Sequence, residues 1–364
     1  MAETGRQPTQ NSENHPKSSG EGHRKGKRSY RPFRPLDHAV SAYVEGIRKG
    51  NRLWLSRAIT LVESRLADHQ ALGAEVVDAC LPYSGKSIRI GITGAPGVGK
   101  STFIEQFGLY MIEVDRRVAV LAIDPSSQSS GGSILGDKTR MELLTREPTA
   151  FVRPTAAGGS LGGVAHRTRE VIFLCEAAGF DTVLVETVGV GQSEIAVASM
   201  TDFFLLLLMP GAGDELQGIK RGIVELADLV VVNKADGDRI EIANAAKRAY
   251  RNALHLFPPH QSGWVPKVLT GSGLHGKGLN EVWQQMQAYQ TLTENNGFWS
   301  DQRRQQNQYW LEQTLQREML QLIQNDATLR EELEKIRQLV ASQRISPTSG
   351  VRQLLSRFQL RRSD

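Results

Sequence analysis

One stretch decides the fold of this chain: Gly94-Ala95-Pro96-Gly97-Val98-Gly99-Lys100-Ser101-Thr102. It matches the phosphate-binding pattern G-x-x-x-x-G-K-[ST] at every position. The apolar segment 88–93 precedes it and residues 103–107 can continue as a helix, which is the strand–loop–helix context that the pattern requires. Backbone N–H groups at the start of such a helix point at a bound phosphate. The stretch therefore predicts a P-loop nucleotide site rather than an ordinary glycine-rich turn.

Two side chains of this loop are predicted to carry its chemistry. Lys100 should reach the terminal phosphates of the nucleotide. Ser101 should place its hydroxyl on a magnesium ion. Because a nucleotide needs both charge neutralisation and positioning, we expect Lys100 to act in catalysis and the rest of the loop to hold the phosphates.

Short apolar segments alternate with helical ones from residue 87 to about 270, which predicts an α/β fold with a mostly parallel sheet covered by helices. In such sheets the ligand lies at the carboxyl ends of the strands. Every chemical motif described below follows such an end. The predicted strands are 88–93, 118–124, 150–153, 182–186, 203–209, 229–233 and 267–270.

The sequence on either side of the sheet differs in character. Residues 1–35 are polar and basic with few large apolar side chains, and we interpret them as a disordered arm. Residues 36–85 carry apolar positions at helical spacing and predict a small helical domain, with Asn51 capping its second helix and a third helix at 75–81. The domain with the phosphate loop is assigned to 86–280, and 281–364 to a C-terminal helical arm.

The C-terminal arm carries two apolar stripes, which either fold back on the sheet or pair with a second subunit. We favour a homodimer formed through these helices, because the stripes are long and lie outside the core fold. The first stripe consists of Trp310, Leu311, Leu315, Met319, Leu322 and Ile323, and the second of Leu329, Leu333, Ile336 and Val340.

Composition sets limits on compartment and partners. The 364 residues have a formal charge of +5, much of it near the two ends, and we do not expect a nucleic-acid partner. Cys80 and Cys175 are far apart, which excludes a disulfide framework. The chain lacks both an apolar run of membrane-spanning length and an apolar secretory signal. We therefore expect a cytoplasmic protein that does not insert into a membrane.

A guanine-binding motif, Asn233-Lys234-Ala235-Asp236, ends a later strand. The Asp236 carboxylate can accept two hydrogen bonds from guanine, a donor pair that adenine lacks, so the motif predicts selection of GTP over ATP. Gly271-Ser272-Gly273 follows the next strand, and its backbone N–H groups are predicted to contact the guanine O6. The expected cofactors are GTP or GDP with Mg²⁺.

Acidic and glycine residues at two other strand ends are candidates for the metal site and for catalysis. Glu186 should reach the magnesium ion directly or through water, Gly189 can offer its N–H to the γ-phosphate, and Gln192 either orients the attacking water or is a surface residue. Asp124 either faces the metal through water or caps the next turn. Asp137 lies in a loop that we expect to order around the nucleotide, on its metal side.

A charged, glycine-flanked segment follows the strand at 203–209 and contains Asp214, Gln217 and Lys220. We interpret it as a switch that reports the nucleotide state to a partner, although a solvated helix start has the same composition.

Four blocks around these motifs resemble the MeaB/ArgK family, the GTPase chaperones of methylmalonyl-CoA mutase within the signal-recognition-particle/MinD/BioD class of P-loop proteins. The resemblance implies that Ser101, Asp124, Asp137 and Glu186 form the magnesium site, and that the segment from Asp214 to Lys220 touches the mutase. It also implies slow GTP hydrolysis and assistance to an adenosylcobalamin-dependent mutase in cofactor loading, protection and reactivation. The blocks are D-P-S-S at 124–127, G-G-S-I-L-G-D-K-T-R-M at 131–141, E-T-V-G-V-G-Q-S-E at 186–194 and G-D-E-L-Q-G-I-K-R-G at 213–222.

Two features depart from the family pattern, and two other functions are alternatives to the one that the family implies. Residues 155–160 replace a serine-rich stretch, and Ser272-Gly273-Leu274 replaces the commoner S-A-L, where glycine keeps the N–H and is expected to loosen the loop. A metallochaperone GTPase would need a Cys/His cluster at ligand spacing, which is not seen around either cysteine. An ATP-dependent kinase or transport-associated ATPase would require that Asp236 does not read the base.

Overall fold

Seven parallel strands form a single sheet in a computed structural model, which describes residues 34–124, 141–156, 161–187, 193–211, 221–258 and 260–360. The strand order is β3-β2-β4-β1-β5-β6-β7, so the strand that enters the phosphate loop is central. All residues of β1 and of β4–β6 are buried, as expected for strands covered on both faces. The strands are β1 Ile88–Gly94, β2 Val118–Asp124, β3 Ala150–Ala156, β4 Thr182–Thr187, β5 Phe203–Leu208, β6 Leu229–Val232 and β7 Lys267–Thr270.

Three helices precede the sheet, α1 Val40–Arg48, α2 Arg52–Glu63 and α3 Ala67–Cys80. The predicted cap is confirmed, because the Asn51 side chain accepts hydrogen bonds from the N–H groups of Leu53 (2.9 Å) and Trp54 (3.3 Å). These helices, the sheet and the C-terminal helices belong to one compact unit that begins at Pro35.

Helices cover both faces of the sheet and complete its core. Phe103, Phe107 and Met286 are fully buried in an apolar core cluster, which packs two of these helices against the central strands. The helices between strands are α4 Lys100–Glu113, α5 Glu142–Arg146, α6 Leu161–Ala177, α7 Ser193–Ala198, α8 Arg221–Glu225 and α9 Ile240–Leu254, and α10 Leu279–Asn295 follows the last strand. Among the described helices, none has both the length and the apolarity needed to cross a bilayer.

The C-terminal helices are α11 Phe298–Asn325, α12 Ala327–Ala341 and α13 Pro347–Leu360. Leu329 and Ile336 of the second predicted stripe are buried between α12 and α13 beside Leu354, and Leu333 and Val340 are half-buried against them, so this stripe is covered within the chain. The first stripe behaves differently. Trp310 is buried, whereas Leu311 and Leu315 are 70% and 60% exposed.

Candidate functional site

The predicted site residues converge because their strands end at one edge of the sheet. Ile92 of β1 is in register with Glu186 of β4, and Val232 of β6 is in register with Thr270 of β7. A hydrogen bond of 2.8 Å from the Thr187 hydroxyl to the Thr93 hydroxyl joins the ends of β1 and β4. The phosphate loop, Glu186, the Asn233 motif and the loop at 271–273 therefore lie along the same edge.

Lys100 is held over the phosphate loop by the loop's own carbonyls. Its ammonium donates to Gly94 O (2.7 Å) and Ala95 O (3.3 Å), and the side chain is buried. Burial lowers the pKa of Lys100, while the carboxylates of Glu186 and Glu194 oppose that shift. Glu194 is itself buried, and its proximity to Lys100 was not anticipated from the sequence. The ammonium is thus restrained where terminal phosphates would be bound.

Asn233 joins the two nucleotide-binding loops. Its side-chain N–H donates to Val98 O (2.9 Å), and its side-chain oxygen accepts from the Gly273 N–H (2.9 Å). A side chain at Gly99 would be strained, because φ there is 91° and an added Cβ would lie 3.0 Å from the Asn233 amide nitrogen. Lys234 adds a second link, because its ammonium donates to Gly97 O (2.6 Å).

Asp236 is positioned for base recognition by a neighbour in the next loop. The Ser272 hydroxyl donates a hydrogen bond to the Asp236 carboxylate. Asn233 links the loops that carry these two residues to the phosphate loop through its hydrogen bonds with Val98 and Gly273. The hydrogen bond uses one carboxylate lone pair and leaves others for the N1–H and amine of guanine. The geometry supports guanine selection by this residue.

The loop at 271–273 differs from its prediction. Each of its three N–H groups already has an acceptor within the protein: Val232 O for Gly271, Lys277 O for Ser272 and the Asn233 side chain for Gly273. The next N–H, that of Leu274, has no hydrogen bond to the described residues and is therefore available to a ligand.

Gly273 tightens this loop rather than loosening it. A Cβ added at this position would lie 2.9 Å from Phe103 Cα, so the loop packs directly against the first turn of α4. The glycine is required here by close approach of two backbones, a contact between distant segments that the sequence pattern did not show.

Two of the predicted magnesium ligands are brought together. The Ser101 hydroxyl lies 3.3 Å from Glu186 Oε1, at the mouth of the phosphate loop. Asp124 ends β2 on the same edge of the sheet. Mg²⁺ prefers oxygen ligands and is commonly held by one or two side chains together with phosphates and water, so the oxygens of Ser101 and Glu186 fit that ion.

Six predicted residues lie outside the described part of the chain. One of them is a predicted magnesium ligand, and two are predicted to contact the γ-phosphate and the attacking water. The other three belong to the predicted partner switch. The residues are Asp137, Gly189, Gln192, Asp214, Gln217 and Lys220.

Comparison with known proteins assigns the family. The sequence model described as "Methylmalonyl Co-A mutase-associated GTPase MeaB" matches residues 55–328. The chain belongs to the MeaB family. This MeaB-family chain is 45% identical to the GTPase ArgK of Escherichia coli K12 over 311 residues, which cover 85% of the chain and 94% of ArgK. The resemblance to the MeaB/ArgK family is thereby confirmed, and with it GTPase activity.

Two further relatives extend the comparison. A mouse protein named "Methylmalonic aciduria type A homolog, mitochondrial" is 44% identical over 332 residues, covering 88% of this chain and 80% of the relative. A crystal structure titled as a LAO/AO transport system kinase superposes with a TM-score of 0.71 at 38% identity, covering 88% of this chain and 97% of that one. The α/β P-loop fold predicted from the sequence is confirmed.

Proposed function

We propose that this MeaB-family GTPase is a chaperone of an adenosylcobalamin-dependent acyl-CoA mutase, with methylmalonyl-CoA mutase as its client in the cytoplasm. It would use Mg²⁺ with GTP or GDP to assist cofactor loading, protection and reactivation. The observation that carries the proposal is the family match over residues 55–328, because it spans the nucleotide site and extends into the C-terminal helices. The name of the mouse relative supports the same client.

The chain's own residues account for binding and for slow turnover. Lys100 and the loop N–H groups position the phosphates, while Ser101, Glu186 and, by resemblance, Asp124 and Asp137 would hold the metal. When bound, Mg²⁺ neutralises charge on the β- and γ-phosphates. Among the described residues, no arginine donates a hydrogen bond to the phosphate loop. The proposal is that a bound partner or the dimer mate supplies an arginine finger.

The test is GTP hydrolysis by the full chain with and without purified methylmalonyl-CoA mutase, with ATP as the control nucleotide. We expect mutase to stimulate turnover of GTP and not of ATP, and Lys100→Ala to abolish both tight Mg·GTP binding and the stimulation. Stimulation is the informative readout, since it requires contact with the client. GTP turnover that ignores the mutase would overturn the client assignment while leaving the GTPase intact.

The burial of both cysteines disfavours a metallochaperone role. Cys80 and Cys175 are both buried, and burial raises the pKa of Cys80 to about 11 and also raises that of Cys175. A thiol must ionise to bind nickel or zinc, which these surroundings oppose. In the described ranges, no group of three or more His, Cys, Asp or Glu side chains is arranged to hold a metal ion.

Homodimerisation through α11 is the second part of the proposal. Leu311, Leu315, Met319 and Leu322 follow one another at helical spacing and are between 37% and 70% exposed. Such a contiguous apolar stripe is typical of an interaction surface. We expect the wild type to elute as a dimer in size-exclusion chromatography with light scattering and Leu311→Glu/Leu315→Glu to elute as a monomer. A monomeric wild type would refute this part without bearing on the nucleotide site.

A further inference from the structure

A cavity of about 560 Å³ lies away from the nucleotide site, between α2 and α3 on one side and α6 and α11 on the other. Its volume falls in the range of small-ligand sites. No residue of the phosphate loop, the Asn233 motif or the loop at 271–273 lines it. Charged and amide side chains dominate the walls, among them Gln70, His166, Arg167, Glu170, Arg317 and Gln321.

Arg167 brings a positive charge to this cavity, which the carboxylates of Glu63 and Glu170 offset in part. Its half-buried side chain makes no hydrogen bond or ion pair with the residues that the structure describes. Burial, together with the guanidinium groups of Arg65 and Arg317, lowers the pKa of Arg167, but an arginine stays charged in proteins. Neighbouring guanidinium groups repel one another, so a bound anion would stabilise this arrangement.

The acidic groups nearby offset this charge only in part, because none of them forms an ion pair with Arg167 within the described residues. Glu318 accepts a hydrogen bond from Arg317 (3.1 Å), and Glu63 pairs with Arg153 (2.5 Å). Glu170 lies 3.8 Å from His166 Nδ1 and makes no ion pair with Arg167. Burial raises the pKa of Glu170 to about 7, so near neutral pH its carboxyl is partly protonated. Burial also lowers the pKa of His166 to about 4, so its ring is neutral.

We infer that this cavity binds a small phosphate-bearing anion. Arg167 and Arg317 present planar guanidinium forks that match phosphate oxygens, and a protonated Glu170 carboxyl can donate a further hydrogen bond. The neutral His166 ring adds a donor or acceptor without a charge. Since Arg167 belongs to α6 and Arg317 to α11, such a ligand would connect the helix that covers the sheet with the C-terminal helices.

Isothermal titration calorimetry with inorganic phosphate tests this, on the full chain saturated beforehand with Mg·GDP so that the phosphate loop is filled. We expect one saturable phosphate site per chain, and affinity lowered by about tenfold or more in Arg167→Gln and in Arg317→Gln, since each removes charge-assisted hydrogen bonds. Arg337→Gln, at an exposed arginine of α12, is the matched control and should bind like the wild type. No saturable uptake by the wild type, or equal affinity in Arg167→Gln, overturns the inference.

Stability without phosphate separates a ligand role from a structural one. An arginine that only supports the fold would make Arg167→Gln less stable in urea. A ligand-binding arginine without an internal partner predicts instead that the phosphate-free variant is as stable as the wild type or more so, because a half-buried unpaired charge has been removed. Phosphate should then raise the urea midpoint of the wild type and not that of the variant. Destabilisation of phosphate-free Arg167→Gln would refute the ligand role.

Discussion

The side-chain amide of Asn233 donates to the main-chain carbonyl of Val98 across 2.9 Å, and this contact couples base recognition to phosphate binding. The same amide accepts the Gly273 N–H, so one buried side chain spans three segments that are far apart in sequence. A buried amide with both functions satisfied is costly to remove, because its partners are left without hydrogen bonds. Asn233 is therefore expected to stabilise the empty site as well as the nucleotide complex.

Asn233→Ala should lower both stability and nucleotide affinity. We expect the free energy of unfolding to fall by about 1–3 kcal/mol, the cost of leaving a buried polar group unpaired. GDP affinity, measured by calorimetry, should fall with it because the two loops are no longer held together. Asn280→Ala is the control, since that side chain is exposed and accepts its hydrogen bond from Tyr110 at the protein surface. Equal losses in the two variants would show that the connecting role is absent.

Asp236→Asn should relax base selection without emptying the site. The amide would present a donor where guanine needs an acceptor, so the preference for GTP over ATP should fall by roughly 10–100-fold, the effect of losing a hydrogen bond to a charged group. Competition of GTP and ATP against a fluorescent GDP measures it. Asp238→Asn removes the same charge from an exposed position two residues later and should keep the preference. An Asp236→Asn protein that still strongly prefers GTP would show that the base is read elsewhere.

Local pattern was sufficient to place the seven strands of the sheet, and it failed where distant contacts decide. The strand β3 was predicted to end at residue 153, before Pro154, yet it continues to Ala156. Proline is tolerated there because β3 is an edge strand, which needs no N–H on its outer side. A single sequence carries no indication of which strand will be at the edge.

The third helix shows the same limit. It was predicted over 75–81, whereas it extends over Ala67–Cys80. The prediction began too late because the first two turns have few apolar side chains. Gly73 in that part is buried, and an added Cβ would lie 3.2 Å from the Leu61 backbone, so close packing against α2 fixes the extra turns. The hydrogen bonds of Asn233 and the cavity around Arg167 likewise depend on contacts between elements, which spacing along the chain cannot reveal.

Arg303 should be the main anchor of α11 on the sheet. It forms a paired hydrogen bond with the buried carboxylate of Asp202 (both 2.7 Å) and also donates to the carbonyls of Gly85 and Ser87. Arg303→Gln leaves Asp202 as an uncompensated buried charge, so we expect the free energy of unfolding in urea to fall by about 3–5 kcal/mol. Its neighbour Arg304 pairs with Asp301, and both side chains are exposed, so Arg304→Gln should cost less than about 1 kcal/mol.

A similar small loss in both arginine variants would mean that the helix is held mainly by apolar contacts. Trp310 offers the comparison, because its indole N–H donates to Ser199 O (3.0 Å) while its ring is buried. Trp310→Phe keeps most of the apolar area and should therefore be milder than Arg303→Gln.

Asp228 should make the protein less stable as pH rises. Its carboxyl accepts the Phe204 N–H (2.8 Å), while Oδ1 is buried without a hydrogen-bond partner among the described residues. Burial raises the pKa from 3.8 to about 8, so between these values the folded protein holds a proton that the unfolded chain releases. Between these two pKa values, the free energy of unfolding therefore falls with increasing pH.

Asp228→Asn keeps the acceptor for Phe204 and removes the titration, so its stability relative to the wild type should improve steadily from about pH 4 to pH 8. Urea unfolding at several pH values measures this difference, and taking the difference cancels the titration of all other groups. A difference between Asp228→Asn and wild type that stays constant over this range would mean that Asp228 is ionised in the folded protein, and hence that a partner or water stabilises its charge.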